Sequence, residues 1–360
     1  MTASPARPPL VERVVPFVAG DGMPCNLVHV RGASEPTRGP VLLVHGAGVR
    51  ANIFRPPGAP TVVDYLVERG YDVWLENWRA SIDLPRSEWN LDKAAVHDHP
   101  EAVRTVVRET GADRIKALVH CQGSCSFVMS VVAGLTPQVE TVVTNAVSLH
   151  PIVPAGSRAK LALLLPFVGM MTRYLNPRWG DSAPTLPAKL IAATGAIAAR
   201  GCRNKVCTQV SFTYGSGQGA LWRHENLSDE THDWLSAEFG DVPVSFFRQM
   251  ARCVRRGRMV SVDGMRELPA DFTAGPPMSD ARFAFFAGEM NQCFRPESQV
   301  ATFDHFDRHH RDYHSLHVLP GYSHLDVFWG KRAAQEIFPL LAAELERPTM
   351  ASPARQMARA

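Results

Sequence analysis

Cys121 and His324 are the side chains whose types and surroundings point most directly to covalent chemistry. Residues 117–126, ALVHCQGSCS, read as an apolar strand, a tight turn and a helix beginning at Gly123. A strand-turn-helix of this kind holds its central residue exposed on a strained bend, the nucleophile elbow usually written G-x-S-x-G. Aligned by that context the central residue is Cys121, with Val119 where the first glycine would stand and Gly123 matching the second. Ser124 falls on the helix, turned away from the tip, and is not assigned as nucleophile. The amino end of a helix offers free N–H groups and the positive end of its dipole, and both lower the pKa of a thiol towards the attacking thiolate. The bland alternative, a small buried residue, is weighed against the partners that appear elsewhere in the chain.

Those partners fall where acyl-transfer chemistry needs them. Residues 41–48, VLLVHGAG, form a strand and a loop that can aim the Ala47 N–H at the same point as the N–H of Gln122, the residue after the nucleophile. Two such donors make an oxyanion hole. His45 in this loop is expected to shape it through a backbone hydrogen bond and not to act as a base. The base is expected late in the chain, and residues 316–326, LHVLPGYSHLD, supply His324 in a turn just past a strand. Fourteen histidines make any single one unremarkable, so position is what selects this one.

The third member of such a site orients the imidazole and sits in the loop after the preceding strand. That loop reads GEMNQCFRP over 288–296, with Asn291 where an aspartate is expected. One strand earlier no acid is available, because residues 141–180 contain no Asp or Glu. An amide in that place would cripple a serine enzyme, whose imidazolium needs a nearby negative charge. A thiolate–imidazolium pair balances its own charge, so an Asn carbonyl can fix the ring, as in Cys-His-Asn sites. Glu289 is the rival orienting residue. Asp326, close after the histidine, is expected to brace the turn.

Elements that alternate along the chain are needed to bring these residues together. Strands are expected at 41–44, 71–75 and 115–119, with helices at 61–69 and 94–110. Strands separated by helices mean a parallel sheet, whose carboxyl ends carry the chemistry. Alternation resumes with strands at 283–287 and 316–319 and helices at 298–309 and 331–345. The expected organisation is a flexible segment 1–15, a first core part 16–150, a mostly helical cap 151–280 with helices at 161–175, 188–199 and 246–258, a second core part 281–346, and a flexible tail 347–360.

Composition narrows the classes. The 360 residues are 45% hydrophobic and 20% charged, and 38 basic against 35 acidic side chains leave a formal charge of +3, which gives no reason to expect nucleic acid. The most apolar window, 161–171, is too short to span a bilayer. The first ten residues lack the apolar core of a signal peptide, so a cytoplasmic location is expected. Seven scattered cysteines give neither an even disulfide framework nor repeated zinc-type pairs. Most are expected to be inert core residues, and no cofactor or metal ion is assigned.

With these residues in place the chain resembles the α/β-hydrolase superfamily from roughly residue 16 to 345. The elbow, the His-Gly loop and the late histidine carry the match. Residues 70–79, GYDVWLENWR, and 321–330, GYSHLDVFWG, are similar to segments of acid lipases. The cysteine nucleophile resembles that of polyhydroxyalkanoate synthases and dienelactone hydrolases. HCQGS at 120–124 and GEMN at 288–291 are similar to hydrolase-like domains associated with cholesterol-oxidase-type (GMC) flavoproteins. The resemblance implies a mostly parallel sheet flanked by helices under a helical cap, and a catalytic set of Cys121, His324 and Asn291.

The expected reaction is acyl transfer through a thioester on Cys121, from a hydrophobic ester, thioester or lactone. Water as acceptor makes an esterase or thioesterase, and another nucleophile makes an acyltransferase or cyclase. A catalytically inactive binding protein of the same fold is the non-enzymatic alternative. Residues 161–171 either line an apolar tunnel over the site or pack the cap onto the sheet. Arg252, Arg255, Arg256 and Arg258 either hold an anionic group such as the phosphates of coenzyme A or form a solvated helix face.

Overall fold

The computed structural model describes residues 10–199 and 201–349. Ten strands are present among them: β1 (Val11–Val18), β2 (Pro24–Arg31), β3 (Pro40–Val44), β4 (Asp72–Asn77), β5 (Ile115–His120), β6 (Val139–Asn145), β7 (Tyr174–Leu175), β8 (Val242–Pro243), β9 (Arg282–Gly288) and β10 (Ser315–Leu319). Eight of them form one sheet in the order β1-β2-β4-β3-β5-β6-β9-β10. The β1–β2 and β2–β4 pairs are antiparallel and all others are parallel. Every residue of β3 and β9 is buried, as expected for strands covered by helices on both faces.

The helices follow their local signals. α1 (Val62–Glu68) starts at Thr61, whose hydroxyl accepts from the Asp64 N–H while the Asp64 carboxylate accepts from the Thr61 N–H. This reciprocal capping box satisfies two donors that the first turn cannot use internally. α2 (His99–Thr110) is preceded by a π turn over Ala94–Asp98 and ends at Gly111 with φ 68°. α3 (Cys121–Val132) leaves β5 without a linker and lies buried along its whole length.

Between β6 and β9 the chain forms α4 (Leu165–Met171), α5 (Leu186–Ala198), α6 (Lys205–Tyr214), α7 (Asp229–Trp234) and α8 (Val244–Arg256), with the short antiparallel pair β7–β8. α9 (Pro296–His309) and α10 (Phe338–Glu346) complete the main layers. Among the described residues no helix is long and apolar enough to cross a membrane.

Several local expectations change. β1 begins at Val11, within the stretch set aside as flexible, and β1, β2 and β6 are strands the sequence reading did not name. The helix expected over 161–175 stops at Met171, because Thr172 is extended and the chain then pairs as β7 with β8. The closing helix expected over 331–345 is broken into Asp326–Trp329, Ala333–Glu336 and α10. Pro339 in the first turn of α10 has no N–H to continue a helix from the preceding turn. Most of the tail expected over 347–360 lies outside the described residues.

Candidate active site

Cys121 sits where β5 meets α3, with φ 57°. Left-handed backbone is rare for a residue with a side chain and costs about 1–3 kcal/mol, a strain that packing on both sides must hold. Two glycines make the packing possible. A Cβ on Gly123 would lie 2.0 Å from the His45 carbonyl oxygen, and one on Gly46 would lie 2.9 Å from Cys121 Cβ. The loop after β3 therefore closes directly against the elbow. Ser124 donates its hydroxyl to the Cys121 carbonyl at 2.5 Å and is fully buried, in agreement with its exclusion as nucleophile.

His324 and Asn291 converge on the same point from the loops after β10 and β9. Both are fully buried, and Asn291 Nδ2 lies 3.1 Å from His324 Nδ1. The amide orientation is fixed, since Asn291 Oδ1 accepts from the Cys293 N–H at 2.9 Å. An amide nitrogen only donates, so Nδ1 is the acceptor and the ring carries its proton on Nε2. Here the structure departs from the expected carbonyl-to-ring contact. His324 Nε2 has no hydrogen-bond partner, and Cys121 Sγ lies within 4.8 Å of the ring's ligating atom.

The resting electrostatics also differ from a thiolate–imidazolium pair. The Cys293 thiol, at hydrogen-bonding reach, and burial together hold the Cys121 thiol well above its ordinary pKa, against the opposing pull of His324. The thiol is therefore protonated at neutral pH, and its reactive fraction grows as pH rises. His120 stacks obliquely on His324 with ring centroids 4.7 Å apart, and burial with neighbouring imidazoles keeps it neutral. Cys293→Ala removes the largest raising influence, so labelling of Cys121 by iodoacetamide at fixed neutral pH should quicken by roughly tenfold. The alkaline midpoint of its rate–pH profile should move to lower pH. An unchanged profile would mean that Cys293 does not set the thiol.

The other expected residues also find places. Ala47 lies buried in the loop after β3 that closes on the elbow, and Gln122 is the second residue of α3, buried and bordering the same cavity as Cys121. His45 Nδ1 contacts the Gly46 carbonyl at 2.7 Å, and burial lowers its pKa to about 3, so it stays neutral as a loop-shaping residue. Glu289 is exposed and accepts from the Gly321 N–H at 3.1 Å, away from the imidazole. Asp326 accepts from the N–H groups of Ser323 and Arg223 and from Asn226 Nδ2, which braces the histidine turn. Burial raises its pKa to about 6.

A cavity of about 240 Å³ opens onto Cys121 and Gln122. Leu161, Leu165, Val168, Ile191, Phe247 and Met250 are among its walls, so the segment 161–171 lines the space that Cys121 borders. Leu163, Phe167, Met170, Leu186 and Ile197 leave large apolar surfaces exposed on the same helices. Arg252, Arg255, Arg256 and Arg258 do not line this cavity; Arg258 pairs with Asp271 and the last three are exposed.

Several neighbours escaped the sequence reading. Cys293 is among the thiols expected to be inert, although it stands two residues after Asn291. Asn145 donates to His120 Nδ1 at 2.9 Å and to the His324 carbonyl at 3.0 Å, joining β6 to the histidine loop. Lys160, the one cationic side chain on the cavity wall among the described residues, donates to the carbonyls of Phe212 and Gly215, and burial lowers its pKa to about 8. Two clusters among the described residues have the donor types and proximity of metal ligands: His120, Cys121 and His324 at the elbow, and Cys202, Cys207, His224 and His232 in the cap.

No family model matches the chain. It is 24% identical over 185 residues to sterol esterase 2 of Saccharomyces cerevisiae, across 44% of this chain and 33% of that relative. The match thus spans about a third of the relative's length. Among solved structures, a lipase in an open form aligns with a TM-score of 0.61 at 14% identity, covering 94% of this chain and 99% of the other. The complex of DcsB with its substrate analogue aligns with a TM-score of 0.59 at 13% identity, covering 93% and 98%. The sheet order, the flanking helices and these likenesses give the chain the α/β-hydrolase fold.

Proposed function

We propose that this α/β-hydrolase-fold protein cleaves or transfers hydrophobic acyl groups through a thioester on Cys121. The observation that carries the reading is the presentation of Cys121 at a left-handed strand-to-helix bend, facing an apolar cavity and an unpartnered His324 Nε2. The esterase activity in the yeast relative's name and the lipase among the structural neighbours agree with an ester substrate.

In this mechanism the Cys121 thiol gives its proton to His324 Nε2 as sulfur bonds to the substrate carbonyl carbon. Negative charge on the carbonyl oxygen is met by the Ala47 and Gln122 N–H groups. Collapse breaks the bond to the leaving group, which takes the proton from Nε2–H and departs as an alcohol or thiol. Water or another acceptor then loses a proton to Nε2 and attacks the thioester, and the departing sulfur is reprotonated. Nε2 can accept a proton only when the ring carries its own on Nδ1. That tautomer requires Asn291 to turn its carbonyl to the ring and give up the Cys293 N–H, at a cost of about 1–3 kcal/mol for the stranded donor.

The walls of the cavity favour alkyl or sterol-like groups over polar ones. The test uses p-nitrophenyl esters of increasing chain length, cholesteryl esters and acyl thioesters, with free acid and intact protein mass both measured. The expected result is turnover that improves with chain length and an acyl adduct on the Cys121 peptide. Adduct that discharges only when an alcohol or amine is added identifies transfer. Neither turnover nor adduct with any of these substrates would defeat the reading.

A further inference from the structure

Four potential metal ligands meet in the cap, away from the elbow. Cys202 lies just before α6, Cys207 in its first turn, His224 in a short 3-10 turn and His232 in α7. Cys202 Sγ is 3.3 Å from His232 Nε2, and Cys207 Sγ is 3.3 Å from His224 Nε2. All four donor atoms lie within 4.8 Å of one another. A tetrahedron with Zn–S of ~2.3 Å and Zn–N of ~2.0 Å has edges of roughly 3.3–3.8 Å, so two edges already have that length. The two imidazoles pack edge to face at 5.1 Å between centroids, each with Nε2 towards a thiol.

Surrounding groups hold the four in place. Asn204 caps α6 by accepting from the Cys207 N–H at 3.0 Å, and its amide donates to the His232 carbonyl at 3.1 Å and to Ser236 Oγ at 2.8 Å. The Trp222 indole N–H, two residues before His224, is buried and has no hydrogen-bond partner among the described residues. Bonds that fix the segments carrying the ligands give a metal centre its outer-shell support. Cys207 is buried while His224 is exposed, so an ion can enter from solvent.

We propose that Cys202, Cys207, His224 and His232 bind one zinc ion that staples the cap to the histidine loop. Binding expels both thiol protons to solvent and leaves a neutral unit of one Zn²⁺, two thiolates and two imidazoles. The strip of chain between the cysteine and histidine ligands bonds to the backbone of the two loops that carry Asn291 and His324. The Ala220 carbonyl accepts from the Gln292 N–H in the Asn291 loop at 3.1 Å, and the Leu221 carbonyl accepts from the N–H groups of His324 at 3.1 Å and Leu325 at 2.7 Å. The ion would fix this strip from one end, with His224 two residues after Trp222.

The sequence hides this site because its spacing is Cys-x4-Cys with His-x7-His, a wider histidine pair than the usual zinc pattern. The test is elemental analysis of untagged, full-length protein purified without chelator under reducing conditions. One zinc ion per chain is expected, with loss in Cys207→Ser and His232→Ala. Cobalt(II) titration of stripped protein should give thiolate-to-metal absorption and the strong visible bands of a tetrahedral centre. His224→Cys should keep the ion and strengthen the thiolate band, which separates lost ligation from lost folding. Hydrogen exchange at the His324 and Leu325 amides should quicken when zinc is removed. Absence of both zinc and cobalt bands, or a Cys202–Cys207 disulfide with two hydrogens fewer in the intact mass, overturns the site; unchanged exchange at 324 and 325 overturns its bracing role. None of these readouts depends on whether the protein turns over an ester.

Discussion

Alanine at position 121 should lower kcat/KM by roughly 10⁴-fold or more and remove every acyl adduct from the intact mass spectrum. The protein should remain folded, because Cys121 is small, touches the cavity and sits at a bend secured by Gly46 and Gly123. Cys125 is the natural control, since it is fully buried and burial pushes its thiol far above the usual range. Cys125→Ala should therefore leave labelling at 121 intact. Cys121→Ser should also be nearly inactive, since a serine hydroxyl needs a strong base and the ring here is faced by a neutral amide. Full activity in Cys121→Ala would remove the thioester mechanism altogether.

Substitution at 291 gives the second large effect, with opposite signs for two side chains. Asn291→Ala should slow turnover far more than Glu289→Gln, because Asn291 touches His324 Nδ1 whereas Glu289 contacts the Gly321 N–H. Asn291→Asp should raise the chemical rate by about tenfold or more. A carboxylate has two acceptor oxygens, one for the Cys293 N–H and one for an Nδ1–H, so the base-competent tautomer no longer strands a donor. The double variant Cys121→Ser with Asn291→Asp should recover activity that Cys121→Ser lacks. Single-turnover rates measure both comparisons. An aspartate variant slower than the wild type, with its fold intact, would show that the amide already presents the productive arrangement.

The parts of the site that were legible in the sequence are those tied to a local backbone pattern. The elbow announces itself by an apolar strand running into a small-residue turn, and the histidine by its turn after the last strand. Glycines 46 and 123 belong to the same signal, because two loops can approach this closely only without side chains. Orientation was not legible. Whether the carbonyl or the nitrogen of Asn291 meets the ring depends on the Cys293 N–H, a contact made by loop geometry and not by residue type. The raised thiol was hidden for the same reason, since it arises from a second cysteine brought near by the fold.

Strand recognition failed where burial is one-sided or the run is short. β1 carries Pro16 and alternates only weakly, and both it and β2 have half-exposed faces. β6 is almost entirely buried but only seven residues long, with no alternation to separate it from a helical fragment. The cap ligands were missed because no periodicity links a loop, a helix and a 3-10 turn across thirty residues. Their meeting is a property of tertiary packing.

The strip through Ala220 and Leu221 grips the loop of the imidazole and the loop of the amide at adjacent residues. The two loops are thereby tied to one short strip, so a displacement of that strip would carry the backbone of both with it.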